Sequence, residues 1–184
     1  MRATCLLIVL AACVSLCPAG KAQSDQPTEY AVKAAFLFNF TKFVEWPESS
    51  FDGADSPIVI GIIGDDPFGD NLTRIVAGQK VQGRGIVIRN KRYSDDFRTC
   101  HVLFISTSER HHSNQILADL QASAVLTVSD NEGFADAGGV MQFVTEDNHI
   151  RFVINLNAAA RNHLHVSAKL LALARVINPT GMAK

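Results

Sequence analysis

The sequence predicts an α/β domain with a mainly parallel β-sheet, helices on both of its faces and an antiparallel hairpin near the C-terminus. Between residues 57 and 128, short apolar runs rich in β-branched residues alternate with helical patterns, as expected for strands joined by right-handed crossovers. After a glycine-rich stretch at 133–139, two apolar runs at 140–144 and 150–156 follow so closely that they can pair only as a hairpin.

The first element of this domain is a long amphipathic helix, expected from Thr28 to Glu45. Apolar residues recur there at helical spacing, Thr28 is a suitable N-cap, and Trp46-Pro47 stops the helix. Phe38 lies off the stripe formed by the other apolar residues, so core packing and an exposed apolar patch that meets a partner are both open for it. The stripe residues are Val32, Phe36, Phe40, Phe43 and Val44.

The remaining elements follow in alternation. The run at 57–64 predicts a central strand covered on both faces, and Asp65-Asp66-Pro67 would cap a helix that ends at Gly78. Further strands are expected at 85–89, 101–105 and 124–128, and Ser113 opens another helix. A last helix is expected from about residue 167 to 177, where Asn178-Pro179 stops it.

Residues 1–22 are expected to be a secretory signal peptide. Their apolar run at 3–16 is shorter than the roughly 20 residues of a transmembrane helix. Gly20 and Ala22 suit a signal peptidase, so the mature protein would begin at Gln23, lie in the periplasm and form one domain over residues 23–184. Alternatively, Leu10-Ala11-Ala12-Cys13 is a lipobox, in which case a lipidated Cys13 would tether the domain to a membrane.

The charges give no sign of a nucleic-acid surface, and the cysteines leave no internal disulfide. The formal net charge is −1, or −3 once Arg2 and Lys21 are removed, and the charges are interspersed, so no nucleic-acid surface is indicated. Three of the four cysteines lie in the expected signal peptide, which leaves Cys100 unpaired and excludes a disulfide within the mature monomer. Cys100 is then either a small buried hydrophobe or an intermolecular or redox thiol.

Residues that could carry catalysis or metal chemistry have simpler interpretations. Asp65 and Asp66 follow a central strand, where an acidic pair could hold Mg²⁺, but the neighbouring strand ends offer no third carboxylate and helix capping is favoured. Two histidine pairs have spacings that are unspecific for zinc and are expected at the surface: His111-His112 and His163-x-His165. Neither Gly-x-Ser-x-Gly nor Ser-x-x-Lys occurs, so catalysis has no local support in the sequence. Taken with the aspartates and histidines above, this predicts no enzyme, no metal site and no cofactor.

Six segments in this order resemble the YfiR family and together cover nearly all of the mature chain. They are YAVKAAFLFNFTKFVEWP at 30–47, GDDPFG at 64–69, CHVLFIS at 100–106, the glycine-rich stretch at 133–139, IRFVIN at 150–155 and SAKLL at 167–171. The resemblance implies a dimeric, non-enzymatic periplasmic repressor that binds the sensing domain of an inner-membrane diguanylate cyclase (YfiN-like). Such binding lowers cyclic di-GMP and biofilm formation. The resemblance also implies that an OmpA-like outer-membrane lipoprotein (YfiB-like) sequesters the repressor.

The resemblance places the partner-binding region at 133–154, where a hairpin after a glycine-rich turn could present apolar side chains outward. The residues expected there are Phe134, Val140, Phe143, Glu146 and Phe152. The chain departs from the family pattern in its cysteines, because Ile62 and Ile63 stand where a partner for Cys100 would be expected, so redox control through internal disulfides is not predicted. The alternative function is a periplasmic small-ligand receptor with a cleft between the strand-end loops at 65–69, 106–108 and 129–132.

Overall fold

The structure is a computed structural model that describes residues 28–178. The expected signal peptide, including Cys13, and the expected mature N-terminus at Gln23 lie outside the described residues. Within residues 28–178, no helix combines the length and the apolar character needed to cross a bilayer.

The main sheet is built from eight of the strands found in residues 28–178. These are β2 (Ile58–Ile63), β3 (Lys80–Val81), β4 (Arg84–Lys91), β5 (Val102–Ile105), β6 (Leu126–Ser129), β7 (Met141–Glu146), β8 (His149–Asn155) and β10 (Arg175–Ile177). Their order is β10-β8-β7-β6-β5-β2-β4-β3. Strands β2, β4, β5, β6 and β7 run parallel, β7 and β8 form the antiparallel hairpin, and β10 lies parallel to β8. The predicted fold class is confirmed.

Helices lie on both faces of this sheet. They are α1 (Glu29–Phe43), α2 (Asp70–Val76), α3 (Ser113–Asp119), α4 (Leu156–Arg161) and α5 (Ala168–Leu171). Two further short strands, β1 (Val44–Glu45) and β9 (His165–Val166), pair antiparallel beside α1. The larger of two apolar clusters joins α1, α2 and α4 to one face of the sheet, while the smaller one packs α3 against the other face.

Helix α1 begins as its sequence predicts, but it ends at Phe43, two residues early, because Val44 and Glu45 form β1 and pair with β9. The hydroxyl of Thr28 accepts a hydrogen bond from the Ala31 amide at 3.3 Å, and the backbone becomes extended at Val44. Phe38 is buried, and the Lys42 ammonium lies 4.0 Å from the centre of its ring. Of the two alternatives for Phe38, core packing is therefore the one found.

His101 fastens the segment after α1 to the sheet. The buried imidazole accepts a hydrogen bond from the Val59 amide at Nδ1 and donates one from Nε2 to the Ser50 carbonyl, each at 3.1 Å. The Phe51 ring stacks on it with centroids 4.4 Å apart, and the Trp46 indole donates to its backbone carbonyl at 3.0 Å. Burial lowers the pKa of His101, so the neutral imidazole with one donor and one acceptor is the folded form.

Two helix predictions are wrong in extent. Helix α2 begins at Asp70, after Gly69 with φ of +52°, and the Asp66 carboxylate instead accepts from the Phe68 amide at 2.8 Å in a local turn. The expected last helix is reduced to α5, and residues 175–177 form β10 because they pair in parallel with 153–155 of β8. Helical spacing in an apolar segment cannot reveal such a distant pairing.

Candidate partner-binding site

Strands β2, β5 and β6 end at one edge of the sheet, where the loops that follow them meet. The first two loops are packed together, because the Asp65 amide donates to the Ser108 hydroxyl at 2.9 Å. A Cβ added at Gly64, whose φ is +87°, would clash with the side chains of Ser108 and Glu109. An opening at this edge lies beside β6 and β7, next to helix α1.

A buried ion pair joins α1 to the loop after β6. The Lys33 ammonium lies 2.7 Å from Asp130 Oδ2, and the two side chains are only 4% and 8% exposed. The Tyr30 hydroxyl donates to the same oxygen at 2.8 Å, and Glu29 Oε1 lies 2.5 Å from the Lys33 ammonium. A lysine this deeply buried requires such partners, because an unpaired buried charge would cost several kcal/mol, on the order of 3–5.

The electrostatics of this cluster favour binding and positioning over catalysis. Burial, followed by the hydrogen bond to Asp130, raises the pKa of Tyr30 to about 12, so its hydroxyl remains a donor. The Lys33 ammonium lies between Glu29 and Asp130 and 4.5 Å from the centre of the Tyr30 ring. Both carboxylates hold it as an ion-pair partner, so it is not presented as a free nucleophile.

Two openings lie beside β7 and share three lining residues, and the first of them also adjoins the Lys33–Asp130 pair. The first, of about 400 Å³, lies between α1, the loop after β6, and β7. The second, of about 570 Å³, lies over β7, β8 and β10 on the other face of the sheet, to which the cross-strand neighbours Gln142, Val153 and Arg175 point. Glu132, Gln142 and Val144 line both openings, so we call the pair the β7 groove. Its other lining residues are Glu29, Lys33, Thr107, Asp130, Gly133, Asp136, Phe143, Thr145, Val153, Arg175 and Ile177.

Four of the five residues predicted to contact a partner are buried, although that prediction needed their side chains to point outward. Phe134, Val140, Phe143 and Phe152 are each at most 2% exposed. The hairpin lies inside the sheet, between β6 and β10, and α1 covers one of its faces. Phe143 and Phe152 pack against the Phe40 ring of α1 at 5.7 and 5.1 Å, which explains their burial.

Glu146, the fifth residue, presents its side chain to solvent. It is 46% exposed at the end of β7 and lies 3.8 to 3.9 Å from the guanidinium groups of Arg151 and Arg175. Pairs this long and exposed contribute about 0–1 kcal/mol. A partner could therefore replace them at little cost, and a role for Glu146 in partner binding stays a prediction.

The other singled-out residues lie away from the β7 groove. Cys100 is buried, and burial raises the pKa of its thiol, so the unreactive protonated form is favoured. All four histidines of the two pairs are exposed: His111, His112, His163 and His165. Among the described residues, no group of three or more histidine, cysteine or acidic side chains has the geometry to hold a metal ion.

Sequence reasoning missed the Lys33–Asp130 pair because its members are 97 residues apart. One local signal could have pointed to it. Lys33 lies at helical spacing from Tyr30, Leu37 and Phe40, which places a charged residue on an otherwise apolar face. A buried lysine of this kind needs a carboxylate from elsewhere in the chain.

Comparison with known proteins identifies the family. The model of the family described as DUF4154, YfiR/HmsC-like, matches residues 30–175. This range contains the strands of the main sheet and the helices that pack on it, apart from the first residue of α1 and the last two residues of β10. No curated protein matches the chain. The matched region contains the Lys33–Asp130 pair and most of the β7 groove. The chain belongs to the YfiR/HmsC-like family, a regulatory, non-catalytic family of the periplasm that acts in cyclic di-GMP signalling.

Proposed function

We propose that this protein binds the periplasmic sensing domain of an inner-membrane diguanylate cyclase and represses it, which lowers cyclic di-GMP and biofilm formation. Membership of the YfiR/HmsC-like family over residues 30–175 is the observation that carries this proposal. The buried, fully partnered Lys33 and the protonated Cys100 thiol support it, because neither is arranged as a catalytic nucleophile. Repression is then stoichiometric, not enzymatic.

The proposal includes two further interactions. An OmpA-like outer-membrane lipoprotein would sequester the repressor and so release the cyclase, and the repressor itself would act as a homodimer. Glu146 is the residue through which we expect partner contact near the hairpin, because it is exposed and its ion pairs with arginine are long. The mature protein would act in the periplasm after removal of residues 1–22.

A cellular measurement tests the proposal. Deleting the gene should raise cyclic di-GMP in cells that keep the cognate cyclase and should leave it unchanged in cells that lack the cyclase. Expression of the full chain should restore the lower level. If deletion leaves cyclic di-GMP unchanged in both backgrounds, repression of a cyclase is excluded.

A matched pair of variants tests the contact at Glu146. Glu146→Lys should weaken binding to the purified sensing domain, while Glu48→Lys, an equal charge change at an exposed residue outside the hairpin, should not. Both variants should unfold within about 0.5 kcal/mol of wild type, as surface substitutions usually do. Equal binding by all three proteins would remove Glu146 from the interface while leaving the function itself standing.

A further inference from the structure

Strand β7 extends beyond its neighbour β6 and leaves part of its edge unpaired. In the described residues, β6 pairs with β7 only at Met141 and Gln142, whereas β8 pairs with β7 as far as Glu146. Within residues 28–178, no strand pairs with the β6 side of residues 143–146, and Phe143, Val144 and Thr145 line the β7 groove there. An unpaired strand edge inside a groove is a template for an added strand.

A nearly buried amide supplies a second and independent indication of a ligand. Gln142 is 8% exposed and lines both openings of the groove. Its Oε1 accepts from the Ala135 amide at 3.0 Å, whereas its Nε2 has no protein partner in the described residues and is not enclosed there. This amide group can therefore donate a hydrogen bond to an acceptor in the groove, and a peptide carbonyl is such an acceptor.

The charges of the groove favour a basic occupant. Its lining contains four carboxylates, from Glu29, Asp130, Glu132 and Asp136, against two cations, from Lys33 and Arg175, which gives a formal net charge of −2. Both cations already have carboxylate partners. Glu132 and Asp136 are exposed and have no ion-pair partner within residues 28–178. Their charge is thus available to a basic ligand.

We infer that the β7 groove binds an extended, basic segment of a partner protein. The segment adds as a strand to the free edge of residues 143–146, Gln142 Nε2 donates to one of its carbonyls, and its basic side chains face Glu132 and Asp136. Val144 and Val153 give its apolar side chains a surface to pack on. This inference rests on the proposed function, since it names the surface through which a partner of that kind would be held.

Short synthetic peptides test the pairing with the strand edge. The probe is a fluorescein-labelled peptide of alternating arginine and valine, and its anisotropy is followed as the purified protein is added. A version methylated on every backbone nitrogen keeps the same side chains and charge but cannot donate backbone hydrogen bonds. We expect it to bind at least tenfold more weakly, because strand addition makes several such bonds. Equal binding of both peptides would overturn strand addition.

Matched variants test the position of the charges. Glu132→Gln/Asp136→Asn should weaken binding of the arginine peptide at least threefold at physiological ionic strength. Glu48→Gln/Asp55→Asn removes the same two kinds of carboxylate from exposed positions outside the groove and should leave the affinity unchanged. If both double variants lose affinity equally, the attraction is diffuse and the groove is not the site. A glutamate-valine peptide that binds as tightly as the arginine peptide would also overturn the inference.

The same variants separate this inference from the proposed function. If the wild-type protein binds the sensing domain and Glu132→Gln/Asp136→Asn binds it equally tightly, the groove does not hold that domain and the proposed function stands. If the wild-type protein binds the arginine peptide but no sensing domain, the proposed function fails and the groove remains a peptide site.

Discussion

Removing the Asp130 carboxylate tests whether the buried ion pair holds α1 to the edge of the sheet. In Asp130→Ala, Lys33 loses its buried partner and the Tyr30 hydroxyl loses its acceptor. Breaking a buried pair from one side costs about 3–5 kcal/mol. Lys33 keeps Glu29 at 2.5 Å, and Glu29 is half exposed, so the expected loss lies near the lower end, at about 3 kcal/mol.

Urea unfolding followed by tryptophan fluorescence measures this loss, because Trp46 is the only tryptophan in the sequence. A double-mutant cycle uses Lys33→Met, Asp130→Ala and the variant that carries both changes. The loss of unfolding free energy in the double variant should be smaller than the sum of the two single losses by at least about 1.5 kcal/mol. If each single variant costs less than about 1 kcal/mol and the costs add, the pair does not hold the structure together.

Three further outcomes follow from the core. His101 should make the protein less stable as pH falls, because burial lowers the pKa of its imidazole in the folded state. The free energy of unfolding should be highest well above the ordinary histidine pKa of about 6.5 and should decline as pH falls through it. A His101→Gln variant, measured well above and well below that pKa, should show a smaller change. Gly139→Ala should cost about 1–3 kcal/mol in urea unfolding, because its methyl group would overlap the Phe134 ring, whereas Gly85→Ala, with open space around it, should cost clearly less. Cys100 is buried and should react with a thiol reagent only in denaturant. Reductant should shift the melting temperature little. If reduction lowers the free energy of unfolding by more than about 2 kcal/mol, Cys100 is bonded to another chain.

The parallel part of the sheet was predictable because its strands carry their own signals. Continuous β-branched runs such as 58–63 indicate strands buried on both faces, and the short spacing between β7 and β8 leaves only a hairpin. The last helix failed because the backbone at 175–177 pairs with 153–155, a contact that no local pattern records. At 65–69 the acidic residues suited a helix cap, but the chain turns at Gly69 before the helix begins.

The candidate site was less predictable, for a different physical reason. Whether Phe143 or Phe152 faces a partner depends on what covers the hairpin, and only the packing of α1 across it decides this. The β7 groove arises because β7 is longer than its pairing with β6, and strand lengths relative to neighbours are a property of the assembled sheet. In the sequence, Gln142 is an ordinary strand residue. Only the structure shows that its Oε1 accepts a hydrogen bond from the Ala135 amide while its Nε2 faces the groove.

Direct binding to the sensing domain is the measurement that tests the central claim. The purified protein is titrated into the purified periplasmic domain of each diguanylate cyclase encoded in its own genome, and heat release and stoichiometry are recorded. The account predicts saturable binding to at least one such domain at a fixed molar ratio, together with lower cyclic di-GMP synthesis by the corresponding full-length cyclase in membranes. If no domain binds, or if binding leaves the synthesis of cyclic di-GMP unchanged, the protein is not a repressor of these cyclases.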